Sequence, residues 1–284
     1  MRTGPFQAGD AVIFVDQKAR RYFTVLKEGG RKDIRGQVFQ HDDIIGQPGG
    51  ISLDSDKGKP FTIVRATLPD YVVQMPRYAT VIYPKDLATI LLWGDIGPGL
   101  KCLEAGLGSA GLALALLRAI GSEGHLTSYD VRTEAINRGK KNVEAFFGAQ
   151  PENHTIKVAD VYAGIDETEL DRIILDVPEP WQVVPHAARA LKPGGIFVAY
   201  SPTVLQVDRT GEALRRERAF TDLQTTETLM RPWFVSRASV RPELQMIGHT
   251  GFLTFARCIV PPPQKMAEEA AEEAETEVAE PTDA

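Results

Sequence analysis

From about Tyr83 onward the chain alternates between short β-branched runs and helix-periodic runs, and this alternation limits the possible folds more than any other feature. Residues 85–93 read as a helix, 99–104 as a strand, 107–120 as an Ala/Leu-rich helix, 124–129 as a strand and 133–146 as an amphipathic helix. Strands follow at 154–158 and 171–177, a helix at 185–191, a strand at 195–200, a helix at 206–218 and a strand at 227–230. Strands separated by helices need crossover connections, so the chain is expected to build a doubly wound, mostly parallel sheet. The last two runs, 235–240 and 250–259, flank RPELQMIGH, which is too short for a crossover helix. They are expected to pair antiparallel. The expectation is a Rossmann-like α/β sheet closed by an antiparallel hairpin, unlike the dinucleotide-binding version of that architecture.

The start of the chain follows a different pattern. Runs at 11–15, 22–26 and 61–66 are rich in β-branched and aromatic residues, and KEGGRKD, GQPGG and DSDKGK lie between them as turns. This predicts a small all-β domain over 1–75, an α/β domain over 76–263 and a tail over 264–284. Basic residues gather in the β domain (Arg20, Arg21, Arg31, Lys32, Arg35), as a solvated loop face or an RNA-contacting patch. The net charge of −6 is misleading, because the last 18 residues hold eight acidic and no basic side chains. The rest of the chain carries 32 basic against 30 acidic residues, compatible with a nucleic-acid partner if the basic ones cluster. The tail cannot bury apolar surface and is expected to be disordered. No apolar run approaches the roughly 18 residues of a membrane span. Cys102 and Cys258 sit in apolar segments, as buried thiols would. The expected setting is cytoplasmic.

The strongest local signal is Leu103-Glu-Ala-Gly-Leu-Gly-Ser-Ala-Gly111, between a strand and a helix. Gly106 and Gly108 allow a tight turn and close approach to a ligand, and the N–H groups that open the helix can hold a polar group. Gly106, Gly108 and Gly111 also spell G-x-G-x-x-G, so a dinucleotide site and a ligand-free loop both compete. Glu104 favours a different ligand. A carboxylate two residues before the first glycine would repel a pyrophosphate and attract a cation, and S-adenosylmethionine carries an ammonium and a sulfonium. Asp130 ends the next strand, 22 residues after Gly108, where it can accept from both ribose hydroxyls. Asp160 and Val161 end the third strand, beside the expected adenine, with a helix cap as the plainer alternative for Asp160. The loop residues Leu107, Ser109 and Ala110 complete the expected cofactor set.

Asp176-Val-Pro-Glu-Pro-Trp181 follows the fourth strand, at the sheet edge where open α/β proteins bind substrates. A rigid turn with a carboxylate and an indole suits a flipped base, stacked on an aromatic ring and bonded through its amine. A cap and a core tryptophan are the plainer alternative. If adenine N1 is the nucleophile, its lone pair is free and no general base is needed. Asp176 would instead stabilise the positive charge that spreads to the N6 amine as the methyl arrives. The five histidines show no metal-ligand spacing, so no metal site is expected.

These segments resemble the tRNA (adenine-N1)-methyltransferases that modify adenosine 58 of the T-loop, particularly their bacterial, actinobacterial-like branch. The resemblance runs through GPFQAGDAVIFVDQKARRYFTVL, VIYPKD at 81–86, LEAGLGSAG, the YD pair at 129–130, LDVPEPW, YSPTVLQ at 200–206 and RPELQMIGHTGFL at 241–253. It implies a class I methyltransferase fold behind a small β domain, a homotetramer, Asp176 against the target adenine and Tyr83 lining the acceptor pocket. It places S-adenosyl-L-methionine on residues 106–111 with Asp130, Asp160 and Val161, and tRNA as the partner. The chain departs from the family pattern at Ala110, where glycine is usual, at Asp130, where Glu is commoner, and at Thr80, where Gln is usual. A non-catalytic tRNA-binding subunit of the same fold, and a methyltransferase for another substrate, are the alternatives.

Overall fold

The computed structural model describes residues 3–261. The acidic tail expected at 264–284 lies outside the described residues. Six strands open the chain: β1 (Ala11–Val15), β2 (Arg21–Val25), β3 (Arg31–Asp33), β4 (Val38–Gln40), β5 (Gly50–Asp54) and β6 (Pro60–Arg65). They form an antiparallel sheet in the order β2-β1-β6-β5, with β3 and β4 as a separate hairpin. Alternate residues of β1 and β6 point inward with Phe6, Leu26, Phe39 and Ile44 to make a small core of their own. Phe39 lies between Phe14 and Phe61, ring centroids 5.1 and 5.0 Å away. β3, β4 and β5 escape sequence reading because they are short and lie among turn residues. The basic patch is largely committed to the fold: Arg20 pairs with Asp16, Arg21 with Asp70, and Lys32 donates to the Phe23 carbonyl.

The larger unit follows: α1 (Leu68–Gln74), α2 (Pro84–Trp93), β7 (Lys101–Ala105), α3 (Gly111–Ile120), β8 (His125–Asp130), α4 (Thr133–Phe147), β9 (His154–Val158) and β10 (Leu170–Leu175). Next come a single 3-10 turn (Pro180–Gln182), α5 (Val184–Ala190), β11 (Leu191–Ser201), α6 (Val204–Arg216), β12 (Phe220–Glu227), β13 (Trp233–Val235), β14 (Val240–Pro242) and β15 (Phe252–Cys258). Seven of these strands form one sheet in the order β12-β15-β11-β10-β7-β8-β9. β7 to β11 pair parallel, and β15 inserts antiparallel between β11 and β12. Period-two alternation decides which helices cover which face. Cys102 and Ile174 point into a core built with α2, α3 and α4, whereas Leu103, Ile173 and Leu175 point to α5 and α6. Leu68, Tyr71 and Val72 of α1 pack into the first of these cores. Both cysteines are buried free thiols.

The closing antiparallel strand is where expected, but its partner is not. The 250–259 run is β15, and it pairs with β11 and β12. Segment 235–240 is instead the turn of a two-stranded hairpin, β13–β14, that stands off the sheet. The misreading has a physical cause. β12 is an edge strand with mostly polar, exposed positions, so its periodicity is weak. WFV looks like a core strand, yet Trp233 and Val235 are exposed.

One buried ion pair ties both ends of this excursion to α2. Lys85 Nζ donates to Asp86 Oδ1 at 2.8 Å, the Thr228 carbonyl at 2.7 Å and Thr250 Oγ1 at 2.6 Å. Thr250 Oγ1 in turn donates to Asp86 Oδ2 at 2.6 Å. All three ammonium protons are used, and the Asp86 side chain is fully buried. Lys85→Met strands that carboxylate, and losing one partner of a buried pair costs about 3–5 kcal/mol. Urea unfolding should show a loss of this size, and Lys85→Met combined with Asp86→Leu should recover part of it.

Candidate donor and acceptor site

The strand order reverses between β7 and β10, and the chain leaving each strand heads to an opposite side of the sheet. A crevice opens at their carboxyl ends, which is where this architecture binds ligands. Asp176 N–H donates to the Ala105 carbonyl at 2.9 Å, extending the β7–β10 ladder by one step. Gly106 then turns away with φ +92°, and a Cβ there would lie 2.1 Å from the Asp176 carbonyl oxygen. Only glycine allows the two chains to pass this closely. Gly108, at φ +52°, donates its N–H to Asp130 Oδ2 at 3.0 Å. Ala110 takes a left-handed conformation (φ 68°) as the residue before α3. That costs an L-residue roughly 1–2 kcal/mol, a cost a glycine would avoid. Ser109 fastens the loop to the segment before α2: its Oγ accepts from the N–H groups of Tyr78 (2.9 Å) and Ala79 (3.2 Å).

These elements enclose a cavity of about 440 Å³, within the range of small-molecule sites. Gly106, Leu107, Gly108, Ser109, Gly111 and Asp176 line it. So do Thr80, Ile82, Arg132, Pro178, Pro202 and Gln206. The other expected residues lie outside this lining. Glu104 is fully buried beneath the loop, hydrogen-bonded to Ser128. Asp130 touches the loop from below through Gly108. Asp160 is exposed, and its Oδ1 accepts from Tyr162 N–H as a turn cap. Val161 is buried in the core on the α5/α6 side. Tyr83 lines a separate cavity of about 520 Å³ with Ile13, Phe23, Met230 and Met246. Trp181, expected to stack on a base, carries the Arg209 guanidinium over its ring at 5.1 Å and does not line the 440 Å³ cavity.

Three carboxylates stand at adjacent strand ends, each in a different state. Burial would raise the pKa of Asp130, but the Arg132 guanidinium and the Gly108 N–H outweigh it and hold the group below the usual carboxylate range. Burial pushes Asp176 up to about 7, only partly opposed by Arg132. No donor among the described residues reaches its carboxylate. Burial pushes Glu104 up to about 8, with the Ser128 hydrogen bond opposing and the charges of Asp176 and Asp130 adding to the rise. Glu104 Oε2 has no hydrogen-bond partner among the described residues. A pyrophosphate would worsen this crowding of acids, whereas a cationic nucleoside relieves it. The orphaned oxygen and the glycine cradle thus fit S-adenosylmethionine.

Sequence reasoning missed two lining residues. Arg132 gives Asp130 three bonds, from its N–H (3.0 Å), Nε (3.0 Å) and Nη2 (3.1 Å), and lies over the Tyr78 ring. A ribose diol reaching Asp130 has to displace that guanidinium. Gln206 closes a capping box with Thr203, and its Nε2 donates to the Pro178 carbonyl at 2.8 Å. It thereby joins the turn after β10 to the start of α6. An arginine two residues after a strand-end aspartate, and T-x-x-Q before a helix, were the available signals.

Comparison with known proteins identifies the lineage. Residues 61–241 match the family model described as tRNA methyltransferase complex GCD14 subunit, and residues 4–53 match a TrmI-like N-terminal model. The chain belongs to this tRNA methyltransferase family. It is 36% identical over 255 residues to tRNA (adenine(58)-N(1))-methyltransferase TrmI of Thermus thermophilus, covering 87% of this chain and 96% of that protein. Two crystal structures share its fold. One is a SAM-dependent O-methyltransferase of Thermotoga maritima (TM-score 0.85, 28% identity, 91% of this chain and 96% of that one). The other is the tRNA (m1A58) methyltransferase TrmI of Aquifex aeolicus (TM-score 0.79, 25% identity, 90% and 99%). As a member of the family, the chain is an S-adenosylmethionine-dependent methyltransferase with a Rossmann-like class I fold.

The glycine cradle can be tested directly. Gly106→Ala forces β-carbon strain of about 1–3 kcal/mol on the loop and drives the Asp176 turn away from β7. A lowered melting temperature and loss of measurable S-adenosylmethionine binding by calorimetry are expected.

Proposed function

We propose that this protein transfers the methyl group of S-adenosylmethionine to N1 of adenosine 58 in the T-loop of tRNA. The observation that carries the reading is Asp176: a carboxylate on the cavity wall, opposite the glycine loop, with no internal hydrogen-bond donor. When bound, the donor supplies an electrophilic methyl group. The chain's own part is to hold the adenine with N1 facing it. Asp176 accepts from the N6 amine and gains strength as positive charge develops on the base. Residues 106–111 with Glu104 and Asp130 hold the donor, and Asp160 and Val161 flank its adenine in this reading. Tyr83 borders the acceptor from the neighbouring cavity. N1 brings its own lone pair, so no residue has to remove a proton before transfer.

The proposal includes the two-part division into a β domain over 1–75 and a catalytic domain over 76–263, a homotetramer and a cytoplasmic setting. Support for assembly comes from the β13–β14 excursion, where Trp233, Val235, Val240 and Leu244 are exposed. Apolar groups collected on one projection are what a self-association surface offers. Light scattering on the purified protein tests the tetramer.

A charge-assisted hydrogen bond is worth about 1.5–3 kcal/mol, or roughly 10- to 150-fold in rate. Asp176→Asn should lower single-turnover methyl transfer at saturating S-adenosylmethionine by that factor, with a smaller loss of S-adenosylmethionine affinity from the missing charge. The pH sign follows from the raised acid. The working carboxylate is present above pH about 7 and is lost as pH falls through it. The wild-type kcat/KM for tRNA should therefore decline below about pH 7, or lower where the bound cation pulls Asp176 down, and Asp176→Asn should lose that limb. Mapping the methyl by nuclease digestion and mass spectrometry decides the site. A methyl on a hydroxyl oxygen, or on any nucleotide other than adenosine 58, would refute this reading.

A further inference from the structure

A chain of hydrogen bonds runs beneath the glycine loop from the start of β9 to the buried carboxylate of β7. Gln150 Nε2 lies 3.0 Å from His154 Nδ1, and His154 Nε2 lies 2.8 Å from Ser128 Oγ. Ser128 Oγ donates to Glu104 Oε1 at 2.6 Å. With the Gln150 amide nitrogen turned to the ring, the proton order runs inward from the outer end. The glutamine amide nitrogen can only donate, so His154 Nδ1 accepts and its Nε2 carries the proton. That proton goes to Ser128 Oγ, whose single hydrogen is then free for Glu104. His154 is thus a neutral ring, in keeping with burial holding its pKa down at about 4.

The inner end of the chain is incomplete. Glu104 and Ser128 have no exposed surface, and no donor reaches Glu104 Oε2. The charged groups around it are mostly of the wrong sign. Asp130 and Asp176 stand on the flanking strand ends, and the one cation between them, Arg132, is bonded to Asp130. His154 is neutral, with His125 and Lys140 acting on it from outside. Two residues back along β7, Cys102 is a protonated thiol near Arg172 and Asp171. A carboxylate buried with one hydrogen bond between two like charges keeps its proton.

We propose that Glu104, kept protonated in the free protein by its burial beside Asp130 and Asp176, gives its proton to solvent when a positively charged donor binds above it, and that Ser128 and His154 are positioning residues that hold its carboxyl in place. The inference rests on the donor reading given above. Donor binding then exchanges one cation, the proton, for another, and the cluster's net charge stays nearly constant. Ser128 supplies the one hydrogen bond that favours the ionised form, and His154 orients Ser128 so that its hydroxyl points inward.

Calorimetry of S-adenosylmethionine binding in two buffers of different ionisation heat counts the protons released. Glu104 titrates near pH 8, whereas Asp176 titrates near 7. The wild type should therefore release more protons than Glu104→Gln at neutral pH, and that excess should shrink as pH rises through the raised Glu104 pKa. Ser128→Ala removes the bond that lowers Glu104, so release should persist to higher pH. A mere packing defect would weaken binding without moving that pH. Infrared difference spectra of the wild type alone should show a protonated carboxylic acid band that vanishes on donor binding and is absent from Glu104→Gln. If Glu104→Gln does not fold, the same band in Asp176→Asn, where Asp176 cannot contribute, decides. Donor binding with equal proton counts in wild type and variant, or with no acid band lost, overturns this proposal and leaves the methyltransferase reading standing. A protein that does not bind S-adenosylmethionine at all overturns that reading, and this one with it.

Discussion

The site depends on how closely two chain segments approach. β7 and β10 are neighbours in a parallel sheet, and their continuations would normally diverge with side chains between them. Here the Asp176 carbonyl oxygen occupies the place a Cβ of residue 106 would take. That contact fixes the floor of the crevice, and it brings the loop that follows β7 and the turn that follows β10 onto the same cavity. In the proposed reading, donor and acceptor then share that one cavity. Binding energy therefore goes into orientation.

The same closeness creates an electrostatic problem. Parallel strands end side by side, and three of the ends here carry acids. In water their repulsion would be small, but burial amplifies it. The protein handles each acid differently. Asp130 is neutralised by Arg132 and the loop N–H of Gly108. Asp176 is left without an internal donor, half-buried on the cavity wall, where an incoming amine can find it. Glu104 is sealed under the loop with one hydroxyl. A cation is the ligand that improves all three environments at once, so a sulfonium donor fits this cradle better than a nicotinamide dinucleotide.

Much of this was legible in the sequence because it is local. The strand–glycine–helix unit, the strand-end Asp130 and the proline turn at Asp176 each occupy one short window, and the loop and Asp176 line one cavity. The expected strand and helix runs of the parallel sheet also correspond to β7 to β11 with small shifts at their ends. What could not be read depends on contacts between distant segments. Apolar periodicity cannot show that β12, polar and at an edge, outcompetes WFVSRASV for the side of β15. Spacing cannot show that Tyr83 and Asp176 line different cavities, because both follow from how α2 and the 228–250 excursion pack. Nor does an arginine announce that it will fold back two residues to hold Asp130.

This difference in range separates the two halves of the site. In the proposed donor half the glycine loop is held to the end of β8, by the Gly106 and Leu107 N–H groups on the Tyr129 carbonyl and the Gly108 N–H on Asp130, and substitutions at its glycines act through φ and ψ. The acceptor half is assembled by side chains bridging remote segments: Ser109 to Ala79, Gln206 to Pro178, and Lys85 to Thr228 and Thr250. The Ser109 and Lys85 bridges satisfy partly buried polar groups, so breaking one leaves an unpaired donor or acceptor, and breaking any of the bridges loosens the segment it held. Such a change displaces the acceptor relative to a donor that is still bound. Because reacting atoms must meet within a narrow range of distance and angle, it costs rate before it costs donor affinity. The bridges are thus part of the catalytic geometry even where their side chains touch neither reactant.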